Sequence, residues 1–160
     1  MHKYYLSLGA NLGNREQTLH QAIMMLQDNT SLCVTAVSSL YETPPWGKLD
    51  QPAFINMACI VETNCSGISV LTVCQEIEQK LGRVRHEKWG ARTMDIDIVY
   101  SDDVVSHTDR LEIPHPYITQ RAFVLVPLQE IAPALQIQGK PISYWLQQLP
   151  DVQNITKITD

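Results

Sequence analysis

Two stretches of helical periodicity, each caught between runs suited only to strands, restrict what this chain can fold into. Leu19, Ala22, Ile23 and Leu26 recur at the spacing of one helix face, and Asn14 with Gln17 resembles a capping box. Together they predict a helix over residues 15 to 28. Val70, Cys74, Ile77 and Leu81 repeat the pattern, and Gly82 stands where a helix C-terminus favours glycine. Ahead of the first helix, KYYLSL (Lys3 to Leu8) reads as a buried strand running into the glycine loop GANLGN. Residues 32 to 42 read as a long second strand, residues 53 to 62 as a third and residues 94 to 100 as a fourth. Between the second and third, TPPWGKLDQP holds three prolines and a glycine and is a loop. The resulting order, β-α-β-β-α-β, is the ferredoxin-like plan of the α+β class. The last third is read as a C-terminal extension. It holds a hairpin around Asp102 and Asp103, a proline-flanked turn at 114 to 116, an apolar stretch from Ala122 to Leu128, and a helix near Ser143 to Leu149.

Size and charge narrow the function classes. At 160 residues the chain is expected to form one domain spanning residues 1–160, and no repeat or linker suggests a second. No run approaches the ~20 apolar residues of a membrane span, and the N-terminus is too short in its apolar part for a signal peptide. Cys33, Cys59, Cys65 and Cys74 form no CxxC pair and have no His cluster beside them, so they read as reduced core thiols in a cytoplasmic protein. The net charge of −5 argues against a generic nucleic-acid binder. It leaves room for a small anionic ligand, because the local field in a cleft outweighs net charge.

The chemistry concentrates in RVRHEKWGARTMDIDIVY, Arg83 to Tyr100. In MDIDIV the alternation is strict, so Asp95 and Asp97 share one strand face, with Cα atoms roughly 6.6 Å apart. Met94, Ile96 and Ile98 take the other face, toward a core. Two carboxylates on one face repel unless a cation sits between them. Hard oxygen ligands in this number suit magnesium, which keeps water and phosphate oxygens in its shell. Two such ions would clamp the entering and leaving oxygens of a phosphoryl transfer. The alternative is a solvated strand face with arginines nearby. Arg83, Arg85, Lys88 and Arg92 lie just upstream, and the planar fork of a guanidinium suits phosphate. Anions that hold magnesium and cations that hold phosphate meet at one substrate.

Other residues fit around this pair. Glu78 shares the helical stripe of Leu71 and calls for a partner, either an arginine of the following loop or a nucleotide; a helix-surface acid is the alternative. His115, between Pro114 and Pro116, sits on stiff extended backbone, a platform for a phosphate contact. Arg121 follows. Phe54 and Phe123 are the only phenylalanines and suit the two faces of a flat heteroaromatic, though ordinary core packing would also use them. Asn56 shares a strand face with Phe54, and its amide offers donor and acceptor to a ring edge.

Five stretches carry a family resemblance along nearly the whole chain: LGANLGNRE, YETPPWG, QPAFIN, GRVRHEKWGARTMDIDIV and RLEIPHPYITQRAFVLVPL. The chain resembles the 6-hydroxymethyl-7,8-dihydropterin pyrophosphokinases of the folate pathway. The resemblance implies a ferredoxin-like fold and transfer of the β,γ-diphosphate of ATP to the pterin hydroxymethyl oxygen, with release of AMP. It implies two magnesium ions on Asp95 and Asp97, and Arg83 and Arg92 closing over the phosphates. ATP contacts would fall on Leu71, Gln75, Glu78, Arg85, Trp89, Arg110, His115, Tyr117 and Arg121. The pterin would be held by Thr43, Pro45, Trp46, Phe54, Asn56 and Phe123. A monomer is expected, with no nucleic-acid or membrane partner. Trp46 replaces a smaller aliphatic residue, and Pro116 stands where some members have tyrosine. Two other classes compete: a two-metal nucleotidyl cyclase or nuclease on the same fold, and a non-enzymatic regulatory or RNA-binding module. The acidic chain lacks the aromatic RNA-binding motif.

Overall fold

The structure, a computed structural model, describes residues 1–11, 14–44, 53–82 and 94–158. In chain order its elements are β1 (His2–Ala10), α1 (Arg15–Asp28), β2 (Cys33–Val37), β3 (Tyr41–Thr43), β4 (Phe54–Thr63), α2 (Gly67–Gly82) and β5 (Met94–Ser101). There follow β6 (Ser106–His107), β7 (Glu112–Ile113), α3 (Ala122–Ile131), β8 (Gln136–Ile137), β9 (Lys140–Pro141), α4 (Ile142–Leu146) and β10 (Thr156–Lys157). The main sheet runs β10-β3-β4-β1-β5, with β2 also paired to β4, and every pairing is antiparallel.

Period-two patterning of the strands builds two layers on this sheet. Tyr4, Leu6, Leu8 and Ala10 of β1, Met57, Cys59 and Val61 of β4, and Met94, Ile96 and Ile98 of β5 face one side. There they pack on the apolar stripes of α1 (Leu19, Ala22, Ile23, Leu26) and α2 (Val70, Cys74, Ile77). The first helix begins where its pattern predicts, with Asn14 Oδ1 accepting from the Gln17 N–H at 3.1 Å. On the opposite face, Tyr5, Ala58, Ile60 and Val99 pack under Val124, Leu125 and Leu128 of α3. The C-terminal extension is therefore the second layer of the fold. Cys59 and Cys74 are core thiols as expected, but Cys33 is exposed and Cys65 is partly so; all are unpaired.

Three expectations are corrected. The long strand at 32–42 is broken between Val37 and Tyr41. Val37 pairs with Cys59 and Tyr41 with Asn56, so four residue steps on one strand face three on the other. Ser38 causes the break: its Oγ accepts from the Ala58 N–H at 2.8 Å, replacing a ladder bond with a side chain. Ser39 turns outward, its N–H and hydroxyl both donating to the Glu130 carboxylate of α3. Next, Asp102 and Asp103 do not head a hairpin. Asp103 accepts from the Lys3 N–H and the Ser101 hydroxyl, tying the end of β5 to β1, while the hairpin is formed by β6 and β7 around Thr108 to Leu111. Finally, the last helix is shorter than predicted, ending at Leu146. A 3-10 turn at Pro150–Asn154 then leads the chain to β10, which joins the main sheet beside β3.

Candidate active site

Helix α3 covers only part of its sheet face. Past its N-terminus, among the described residues, a cavity of about 370 Å³ opens on the sheet, lined by Ser7, Gly9, Thr43, Pro44, Phe54, Asn56, Asp95, Asp97, Arg121 and Phe123. Strand register explains the grouping. Asn56, Gly9 and Asp95 are direct neighbours across β4, β1 and β5, and Ala58, Ser7 and Asp97 form the next row. Directly opposite residues in antiparallel strands share a face, so Asn56 and the two acids look into one space. Thr43 and Phe54, paired at the adjoining ends of β3 and β4, make one wall; Arg121 and Phe123, at the start of α3, make another.

The aspartates sit as the alternation predicts. Ile96, between them, is buried on the far face. Its N–H donates to Glu78 Oε2 at 2.7 Å, so an acid of α2 grips the backbone between the two site carboxylates. Among the described residues no group of three or more His, Cys, Asp or Glu side chains is placed to hold a metal ion. Paired carboxylates alone fit magnesium, which takes few protein ligands and completes its shell with substrate and water oxygens.

His115 is fixed through its backbone and one ring nitrogen. Its N–H donates to the Val99 carbonyl at 2.9 Å, and Nδ1 accepts from the Tyr117 N–H at 3.1 Å. In the neutral ring the proton is then on Nε2, which is left as a donor. Burial, followed by the charge of Arg121, lowers the imidazole pKa below its ordinary value; Asp97 and Glu112 oppose that shift. The Arg121 guanidinium lies 5.4 Å from the Tyr117 ring centre and 5.7 Å from that of Phe123, a cation held by two aromatic faces.

Two polar atoms of the cavity lining have no partner. Thr43 Oγ1 and Asn56 Oδ1 are buried and make no hydrogen bond, although their residues are only 8% and 5% exposed. An unsatisfied buried acceptor is costly, and a ligand N–H directed at it recovers that cost. Phe54, in contrast, is 39% exposed, an apolar ring left open on the wall.

Of the residues expected to form the site, the structure brings Thr43, Phe54, Asn56, Asp95, Asp97, Arg121 and Phe123 to one cavity. Tyr117 and His115 adjoin through Arg121 and through their own ring contact. Leu71 instead packs against the α1–α2 core, Gln75 is exposed on α2, and Arg110 is exposed in the β6–β7 turn. Pro45, Trp46, Arg83, Arg85, Trp89 and Arg92 lie outside the described residues. Sequence reasoning missed Ser7, Gly9 and Pro44. The first two follow from period-two alternation with Tyr5 in β1, a signal that was available. Arg15 was also missed. From the start of α1 its Nη1 donates to the Ala53 carbonyl and reaches Glu42 at 3.5 Å, one residue short of Phe54 and Thr43. Nothing local in the sequence signals that pairing.

Known proteins add the following. The family described as 7,8-dihydro-6-hydroxymethylpterin-pyrophosphokinase matches residues 5–133. A 2-amino-4-hydroxy-6-hydroxymethyldihydropteridine pyrophosphokinase of Methylorubrum extorquens is 42% identical over 149 residues, which is 93% of this chain and 94% of that one. The Bacillus subtilis protein of the same name is 44% identical over 127 residues, 79% of this chain and 76% of the relative. Wild-type Plasmodium falciparum HPPK-DHPS superposes with a TM-score of 0.72 at 16% identity, over 99% of this chain and 44% of that one. That likeness is one of fold, and this chain spans less than half of the Plasmodium chain's length.

The chain has an antiparallel sheet flanked by helices and paired carboxylates beside an aromatic-walled cavity, and the two bacterial relatives above are both named as pyrophosphokinases. The chain belongs to the 7,8-dihydro-6-hydroxymethylpterin-pyrophosphokinase family, and its activity is the pyrophosphokinase step of folate biosynthesis.

Proposed function

We propose that this cavity takes the pterin ring between Phe54 and Phe123 and places its hydroxymethyl group over Asp95 and Asp97, with ATP as the diphosphate donor. The observation that carries the reading is the row Asn56, Gly9, Asp95. It sets an unpartnered, buried amide oxygen and a metal-type carboxylate on one floor with no side chain between them. A pterin edge rich in N–H groups satisfies Asn56 Oδ1 and Thr43 Oγ1, and the walls supply stacking.

In the reaction, the hydroxyl oxygen attacks the β-phosphorus in line and the bond to the α,β-bridging oxygen breaks, so that AMP leaves. Asp95 and Asp97 would hold two magnesium ions, which would supply Lewis acidity toward the phosphate charge and the attacking hydroxyl. Asp97 takes the hydroxyl proton. His115 donates its Nε2–H to a phosphate oxygen, and its lowered pKa keeps it in that neutral form near pH 7. Arg121 approaches the nucleotide from its aromatic clamp, while Arg83 and Arg92 stabilise the charge that develops in the transition state. On the family resemblance we assign Arg85, Trp89 and Tyr117 to the ATP side and Pro45 and Trp46 to the pterin side; Leu71, Gln75, Glu78 and Arg110, which do not line this cavity, would contact only the part of ATP that extends beyond it.

The sheet order favours a ferredoxin-like core. With β2 and β3 counted as one strand, the sheet reads fourth, first, third, second in chain order. We assign residues 1–160 to one domain acting as a cytoplasmic monomer; among the described residues no helix is long and apolar enough to cross a membrane. The test is calorimetry of 6-hydroxymethylpterin with and without magnesium and a non-hydrolysable ATP analogue, followed by product analysis with ATP. Pterin binding strengthened by the analogue, with AMP and a diphosphorylated pterin as products, supports the reading. Cyclic nucleotide, nucleic-acid cleavage or no pterin binding defeats it.

A further inference from the structure

Gly9 stands at the centre of the cavity floor, between Asn56 on β4 and Asp95 on β5. Its backbone does not call for glycine: among the described glycines only Gly139 has a positive φ. Space does. A Cβ on Gly9 would lie 2.5 Å from Asn56 Nδ2 and 3.6 Å from its Cγ, far inside contact distance for the first. The Asn56 amide thus occupies the position that any other residue's Cβ would need.

We propose, resting on the pterin reading above, that Gly9 is a specificity-determining residue of this site. Its bare α-carbon seats the Asn56 amide with Oδ1 unpaired for the ring edge. It also keeps the floor between that amide and Asp95 open for the substituent carrying the reacting hydroxyl. Asn56 can yield only by swinging its amide into the cavity it shares with Thr43 and Phe54, the space the ring edge needs. A single methyl group at position 9 therefore displaces the recognition element directly, while the phosphate side, built from Asp97, His115 and Arg121, is left as it was.

The experiment is a double-mutant cycle on Gly9→Ala and Asn56→Ala, read by calorimetry with 6-hydroxymethylpterin and, separately, with magnesium and a non-hydrolysable ATP analogue. Gly9→Ala is expected to weaken pterin binding about tenfold or more and to change analogue binding less than about twofold. In the Asn56→Ala background the same alanine should cost less than about twofold, since the atom it collides with is gone. Wild-type pterin affinity in Gly9→Ala, an equal loss in both backgrounds, or an equal loss of the analogue overturns the inference. Should Gly9→Ala fail to fold, refolding in the Asn56→Ala background supports the collision, and failure there too overturns it. Absence of pterin binding in the wild type is a separate result, which defeats the functional reading itself.

Discussion

The two faces of the central sheet are built from the same strands by alternate residues, yet they have opposite characters. The α1–α2 face is dry and continuous: Leu6, Leu8, Ile96 and Ile98 are at most 4% exposed and meet helix stripes along their whole length. The other face is divided. Under α3 it is as apolar as the first, with Tyr5, Ala58 and Val99; beyond α3 it carries Ser7, Gly9, Asn56, Asp95 and Asp97 over open space. Each site residue is thus flanked in sequence by residues anchored in the opposite core. Carboxylates that repel one another are held at one strand step because Met94, Ile96 and Ile98 cannot leave the core without exposing buried apolar area. The difference between the faces teaches that the residues lining the cavity are positioned by the packing of the opposite side of the sheet.

This contrast can be broken from either side. Asp97→Ala, on the open face, is expected to lower kcat about a thousandfold, or ~4 kcal/mol in the barrier, with the melting temperature nearly unchanged. Steady-state kinetics in magnesium with a thermal scan checks this, and undiminished turnover would remove the metal seat. Leu8→Ala, one residue from both Ser7 and Gly9 but facing the core, should cost about 3 kcal/mol in chemical denaturation and leave the pterin affinity of the folded fraction within about twofold. A variant that loses affinity as strongly as stability would mean that the faces are not separable. Phe123→Ala should weaken pterin binding about tenfold and the ATP analogue far less; equal losses by calorimetry would argue against stacking.

The smallest effect is expected at Glu130, which ties α3 to the break between β2 and β3 through Ser39 and Tyr41. Burial alone would raise its pKa, but bonds from the Tyr41 hydroxyl and from Ser39 outweigh that and hold it below its ordinary value of 4.5. A lowered folded-state pKa means stability that is present above 4.5 and lost as pH falls through the folded value. Glu130 is exposed and its charge is screened, so Glu130→Gln should be less stable than wild type at pH 7 by only about 0.5 kcal/mol, the gap closing in acid. A constant difference from pH 7 to pH 3 in urea titrations would show that the charge is not what matters.

Much of this was legible because periodic segments advertise themselves. The helix over residues 15–28 and the strand from residue 94 fall where Leu19 to Leu26 and the MDIDIV alternation put them. Asp95 and Asp97, and Phe54 with Asn56, could be paired because two residues on one strand share a face whatever the rest of the chain does. What stayed hidden depends on distant partners. The break at Ser38 and Ser39 is completed by Glu130, 91 residues further on. The bond from Ile96 to Glu78 joins a strand edge to a helix that the sequence pairs with no particular strand residue. Gly9 has the appearance of a loop glycine until Asn56 is placed across from it.

That bond between Glu78 and Ile96 has a further consequence. Among the described residues β5 ends the sheet, and an edge strand offers amide groups to any passing extended peptide. A carboxylate already seated on the Ile96 amide denies that rung to an intruder, right where two acids stand on either side. One rung of that border is thereby closed to strand addition by the same helix that backs the strand carrying Asp95 and Asp97.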